Sequence, residues 1–328
     1  MKNNIYAKIL KRFFSSLLTI FLIITFIFIL VRISPGDPTQ KYISPELSPQ
    51  LKESVAESFN LNEPLPLQYL SFVINLAKGD FGISYNHRMP VLKVIWEFLP
   101  FTLIFAAIVF IFQILVSLFL AIYSVKNING FVDKLLNKLA ILFYVTPVFV
   151  AGLFLVLIFS VQLNLFPSSG LSSFNSYDQS FLNKLIDYAH HLFLPLITLS
   201  LGGIAIFYKY LRDNIVNVMQ EPFVLNLHAN GYSNKKIFFK HILPNAVNPL
   251  ISIAGIELGL LLSGTLITEV IFSLPGFGRL MIDSIMLRDY PLVVGCSFIA
   301  SVAVVFSNLA ADLIKFKIDK RMIQEING

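Results

Sequence analysis

The stretch EPFVLNLHANGYSNKKIFFKHILPNAVNP, residues 221–249, lies between two long apolar runs. Proline suits the first position of a helix, so a helix opens at Pro222. Phe223 to Ala229 continue it, and Gly231 supplies a residue able to take the left-handed backbone of a helix cap. A second helical stretch follows, in which Lys235, Lys236 and Lys240 alternate with Ile237, Phe238 and Phe239. Leu243-Pro244 is expected to end it. The segment is too polar to cross a bilayer and too patterned for a slack linker. It reads as two small amphipathic helices against a membrane face, offering a ridge to a partner.

Composition supports a membrane setting. Of the 328 residues, 56% are hydrophobic and 13% charged, against about 25% charged in soluble chains. The net charge of +6 would suit nucleic acid if the basic residues formed one patch. They flank apolar segments instead, which is the pattern of membrane topology. Cys296 is the sole cysteine, so no intrachain disulfide can form.

Six apolar runs are expected to span. The first, Phe13 to Val31, follows Lys8, Lys11 and Arg12 and is long enough for a roughly 30 Å hydrocarbon core. It is too long for a signal-peptide core and no small-x-small cleavage pattern follows, so a retained helix is expected. The others cover about 101–124, 137–163, 191–208, 248–272 and 291–314. Residues 34–100 are mixed and proline-rich, with a short helix expected over Pro49 to Phe59 and loop elsewhere. Pro167 to His190 reads as a Ser-rich loop. Lys and Arg collect on cytoplasmic loops, and with the N-terminus inside, sixteen of the 25 fall on that side. Both termini and the 221–249 segment are then cytoplasmic.

Residues 221–249 resemble the cytoplasmic coupling loop of ABC importer permeases, whose pattern is E-A-A, three residues, Gly, nine residues, I-x-L-P. Gly231, Leu243 and Pro244 fall at the matching spacing; Leu225, Asn226 and Leu227 occupy the E-A-A positions, and His241 the first Ile. Leu227 is a departure, because a small residue is usual there. PGDP at 35–38, LNEPLPLQY at 61–69 and GDFGISY at 79–85 are similar to the N-terminal region of dipeptide, oligopeptide and nickel permeases. TPVFVAGL at 146–153, HLFLPLITLSLG at 191–202, SLPGFGRL at 273–280 and LRDYPLV at 287–293 extend the resemblance over nearly the whole chain.

The resemblance implies an all-α polytopic membrane protein with six transmembrane helices, a type I ABC importer transmembrane domain in a bacterial inner membrane. Its expected parts are an N-terminal helix with external loop, 1–99, and a transmembrane core, 100–328. The expected function is the permease subunit of an ATP-driven importer for small peptides or nickel or cobalt chelates. Expected partners are a second homologous permease, two ATP-binding subunits, an external solute-binding protein and the lipid bilayer. Phe223, Leu225, Leu227, Ala229, Asn230, Gly231, Leu243 and Pro244 are the expected ATPase-coupling residues.

The chain has no G-x-x-x-x-G-K-[ST] phosphate loop, and PGFG at 275–278 follows no strand. ATP and Mg are therefore expected on partner chains, with no cofactor on this one. His190 and His191 point about 100° apart on a helix and do not suit one metal ion; they read as interfacial polar residues. Glu257 and Glu269 sit inside the fifth apolar run, where a carboxylate faces a bundle interior or a wet cavity. Both are pathway candidates; Glu257 is nearer mid-membrane, while Glu269 could instead bond the SLPGFG turn. Gly255 and Gly259 form G-x-x-x-G, a close-packing pattern, on the face opposite Glu257. An intramembrane enzyme built on Glu257 and a histidine would need a second group at the same depth, and none is found. A membrane scaffold would leave the 221–249 segment unexplained.

Overall fold

The computed structural model describes residues 2–33, 64–173 and 180–318. The expected helix at Pro49 to Phe59 lies outside them. The described residues are helical throughout, apart from turns and an isolated bridge between Ile83 and Pro90. They divide into two compact units, residues 1–102 with 275–303 and residues 103–274 with 304–328.

In the first unit, α1 (Lys2–Ile33) packs on α2 (Leu65–Ala77). Thr25 and Tyr69 share a 2.6 Å hydrogen bond, and Phe28 rests against the Tyr69 and Phe72 rings. Most of the stretch before α3 was expected to be loop. Pro64 and Pro66 instead start α2, because a fixed φ and a missing N–H cost nothing in a first turn. α3 (Val91–Val125) begins ten residues earlier than hydropathy suggested. Its first turns join α11 (Phe277–Met286) and the start of α12 (Tyr290–Ile318) in a core of Val91, Val94, Ile95, Leu99, Phe277, Leu280, Leu292 and Cys296. Two motifs meet here. Asp289 of LRDYPLV is fully buried and accepts hydrogen bonds from the Ser84 hydroxyl at 2.6 Å and the Asn86 backbone at 3.0 Å.

The second unit holds most of the apolar helices. The run 137–163, expected as one span, is two helices bent by 106°: α4 (Phe131–Val145) and α5 (Val148–Leu155) with a π-helical continuation, Val156–Gln162. The cause is Pro147, whose ring pushes the preceding residue out of helical backbone; Thr146 has ψ 119°. α6 (Phe181–Met219) is 39 residues long. Its first turns fill half of the expected 167–190 loop. α10 (Leu250–Ile271) lies against both α5 and α6. Gly152 makes the approach close, since a Cβ there would meet the Thr198 side chain at 3.2 Å.

Among the described residues, α3, α6 and residues 290–307 of α12 are long and apolar enough to cross a membrane, and the bent α4–α5 pair could be a fourth.

A polar clamp fixes the turn between α3 and α4. Asp133 is 2% exposed and receives both Arg212 Nη2, at 2.7 Å, and Nε, at 3.1 Å. The Ser124 hydroxyl and the Asn129 backbone N–H, at 2.8 Å, also donate to it. Tyr208 shares a 2.9 Å hydrogen bond with Ser124. A fork of two parallel donors on one carboxylate is a strong charge-assisted arrangement. Removing one member of such a buried pair costs about 3 kcal/mol, because the other charge is stranded. Arg212→Met should therefore lower the thermal midpoint of the purified chain in detergent by several degrees. The double variant Asp133→Asn, Arg212→Met should recover part of the loss, and strictly additive losses would contradict a coupled pair.

Candidate functional site

Residues 221–249 form a helical hairpin on the inner core of the second unit. α7 (Pro222–Ala229) starts after Glu221 in extended backbone, with proline in its first turn. It ends in a left-handed cap. Gly231 has φ +75°, its N–H reaches the His228 carbonyl at 3.0 Å, and the Tyr232 N–H reaches Leu227 at 3.2 Å. These are the two crossed bonds of a Schellman motif. No neighbour lies within 4 Å of a Cβ built at Gly231. The need for glycine is therefore backbone conformation, not space.

After Ser233, α8 (Asn234–Ile237) leads through a π-helical turn, Phe238–Ile242, into α9 (Leu243–Val247). Leu243-Pro244 was expected to stop the helix, and it does not. A proline removes a helical hydrogen bond and crowds the carbonyl four residues back. The wider π turn just before it gives that carbonyl room, and Pro244 sits in the first turn of α9.

The expected coupling residues separate into two faces. Val224, Ile237, Ile242 and Ala246 are buried with Ala121, Val125, Ala140, Tyr208, Leu211 and Ile215, and Phe223, Leu227 and Leu243 pack against this cluster. Leu227 is thus an inward packing residue, and its bulk stays with the core. Leu225 is 70% exposed, and Asn226, Ala229, Asn230 and Gly231 on and after the same helix are exposed, as is Pro244 on α9. Asn230 donates to the Asn226 carbonyl at 2.8 Å, tightening the end of the helix. Lys236 lies over the Tyr232 ring, 4.4 Å from its centre, a cation–π contact. The outer surface is a small apolar knob ringed by polar and basic groups.

Glu257 and Glu269 have different surroundings. Glu257 is 8% exposed and forms part of the wall of an open cavity of about 510 Å³. Tyr144 of α4 and Lys209, Tyr210 and Asp213 of α6 line the same cavity. Gly259, two residues on, turns toward Val304 and Ser307 of α12. Glu269 is fully buried and absent from the cavity wall. Its carbonyl accepts the Leu274 N–H at 2.8 Å while Ser273 takes φ +51°, a second Schellman cap. The two carboxylates therefore do not share a site.

Sequence reading counted Lys209 and Arg212 only as topology signals. The structure gives both of them side-chain partners. Lys209 donates to Asn137 at 3.0 Å and pairs with Asp213 at 3.4 Å, and Arg212 bonds both Asp133 and Asp213. The i, i+4 spacing of Lys209 and Asp213 was the available clue. His190 bonds the Leu165 carbonyl at 2.8 Å, whereas His191 faces Asp187. Among the described residues no group of three or more His, Cys, Asp or Glu side chains is placed to hold a metal ion.

Comparison with known proteins places the chain among relatives. Residues 113–324 match the family model of the binding-protein-dependent transport system inner membrane component. Residues 5–106 match the N-terminal model of such membrane components. A probable peptide ABC transporter permease protein, y4tP of Sinorhizobium fredii, is 32% identical over 96% of this chain and 98% of its own length. The oligopeptide transport system permease protein AppB of Bacillus subtilis is 31% identical over 96% and 99%. The glutathione transport system permease protein GsiC of Escherichia coli K12 is 29% identical over 93% and 95%. Among solved structures, the MetNI methionine ABC transporter in an inward-facing conformation contains a chain with the same fold. It superposes with a TM-score of 0.50 at 15% identity, over 70% of this chain and 96% of that one. The chain belongs to the family of binding-protein-dependent transport system inner membrane components, the ABC transporter permeases.

Proposed function

We propose that this chain is one of two permease subunits of an ATP-driven importer that carries peptides inward. The observation that carries the proposal is the coupling hairpin, an exposed knob around Leu225 on a base buried in the core of α3, α4 and α6. Two ATP-binding subunits would grip this knob from the cytoplasm, and closing on ATP would push α6 through the shared core. A solute-binding protein would deliver cargo from outside, and Glu257 would face it in the pathway. Rocking of helix bundles about a central cavity is a general solution to alternating access. ATP and Mg would be held by the partners, since this chain has no phosphate loop. The names of the relatives reported above favour peptides over nickel or cobalt chelates as cargo. All six apolar runs would span a bacterial inner membrane, with both termini in the cytoplasm.

Gly231→Val tests the coupling. A β-branched residue in left-handed backbone costs about 1–2 kcal/mol, so the cap of α7 should open without disturbing the spans. Uptake by reconstituted complexes should fall at least about fivefold relative to ATP hydrolysis. Gly231→Asn, which tolerates that backbone, should retain most of it. Wild-type uptake per ATP in the valine variant would refute the coupling role.

Topology is tested by labelling Ser172→Cys and Ser233→Cys in intact cells. Cys296 is fully buried, so background labelling should be low. An impermeant thiol reagent should reach position 172 from outside and position 233 only after the membrane is opened. Labelling of both from one side would overturn the six-span arrangement.

A further inference from the structure

We propose that the cavity beside Glu257 is a binding site for a positively charged group, and that it receives the ammonium of the cargo during passage. Identification of the occupant as cargo rests on the transport reading above; the cation preference of the cavity does not. Three charged side chains line the cavity: Glu257, Asp213 and Lys209. Asp213 is already engaged, with Arg212 at 3.0 Å and Lys209 at 3.4 Å. Lys209 divides its donors between Asp213 and Asn137. Glu257 has no hydrogen-bond or charge partner among the described residues. The wall therefore carries one uncompensated carboxylate, more than nine-tenths buried and open to a space large enough for a small side chain or a peptide terminus.

A buried carboxylate without a partner is costly in an apolar setting, and a ligand cation that pairs with it removes much of that cost. The remaining wall suits such a ligand. Tyr144 and Tyr210 bring aromatic rings to the wall, a side-chain type that attracts cations. Ile141, Ile206, Ile253 and Ile256 make the rest of the wall apolar. A carboxylate or phosphate would meet repulsion from Glu257, while Lys209, the cation among the described wall residues, is already shared between Asp213 and Asn137. The chemistry selects a primary or quaternary ammonium.

The site can be tested without transport. Ile206→Cys places a thiol in the cavity wall while Cys296 stays buried. The full-length protein in its assembled complex would be treated with two thiosulfonate reagents of similar size, one carrying trimethylammonium and the other sulfonate. The cationic reagent should react at least roughly tenfold faster, relative to rates on a small free thiol, the scale of one charge in a partly desolvated site. Adding Glu257→Gln should bring the ratio close to one, and adding Glu257→Asp should preserve most of it. Equal rates with Glu257 intact, or no reaction with either reagent, would overturn the proposal. In uptake, a peptide with a free amino terminus would be compared with its N-acetylated form. Glu257→Gln should reduce their ratio by about tenfold, and the shared solute-binding protein's own preference cancels in that comparison. A cationic labelling preference with no peptide uptake by the wild type would leave the site standing and refute the transport reading. An unchanged uptake ratio beside normal transport would refute the ammonium as the cargo's handle.

Discussion

The structure depends on one shared core. Tyr208, Leu211 and Ile215 on α6 are buried together with Val224, Ile237, Ile242 and Ala246 of the hairpin. Ala121 and Val125 of α3 and Ala140 of α4 complete that core, so the hairpin's position follows the helices it packs on. Interiors are close-packed, and a displacement at one side is passed to the other instead of being absorbed. α6 is 39 residues, roughly 58 Å at helical rise, nearly twice the roughly 30 Å of a hydrocarbon core. The same stretch of α6 that forms the shared core, Ala205 to Ile215, also lines the cavity beside Glu257 through Ile206, Lys209, Tyr210 and Asp213. A push on the knob at Leu225 therefore has a stiff route into the apolar part of the molecule.

The polar clamp explains why the route is stiff at its inner end. Asp133 sits at the start of α4 and Arg212 on α6, and their fork ties the α3–α4 turn to the helix that supports the hairpin. Arg212 also holds Asp213, which holds Lys209, so the same chain of contacts ends in the cavity wall. Coupling of this kind needs a continuous network with two arrangements. The contacts described here supply the network in one of them.

Much of this was legible in the sequence. The apolar runs, the start of α7 after Glu221 and the cap at Gly231 follow from local backbone chemistry, and the motif order identified the family. Other features were hidden for physical reasons. Pro147 was read as part of a span because hydropathy does not register backbone geometry, yet it breaks that span by 106°. Pro244 was read as a stop, although a π turn upstream lets the helix continue. Leu227 looked like a fault in a docking surface because sequence spacing does not say which side of a short helix faces the core. Asp133 and Arg212 are 79 positions apart, and nothing local to either marks the other as its partner. The cavity draws its wall from α4, α6 and α10, so only Glu257, anomalous in its own run, pointed to it.

The central claim is that the knob around Leu225 is the surface gripped by the ATP-driven partner. Leu225→Cys places a thiol at its most exposed point, and a short bifunctional thiol cross-linker can report what lies within reach. In membranes holding the complete transporter, the product should join this chain to an ATP-binding subunit. Its yield should depend on nucleotide, because the grip changes when ATP closes the partner. Cross-linking at Leu225 to lipid-embedded chains only, or to nothing with every nucleotide tried, would contradict the account.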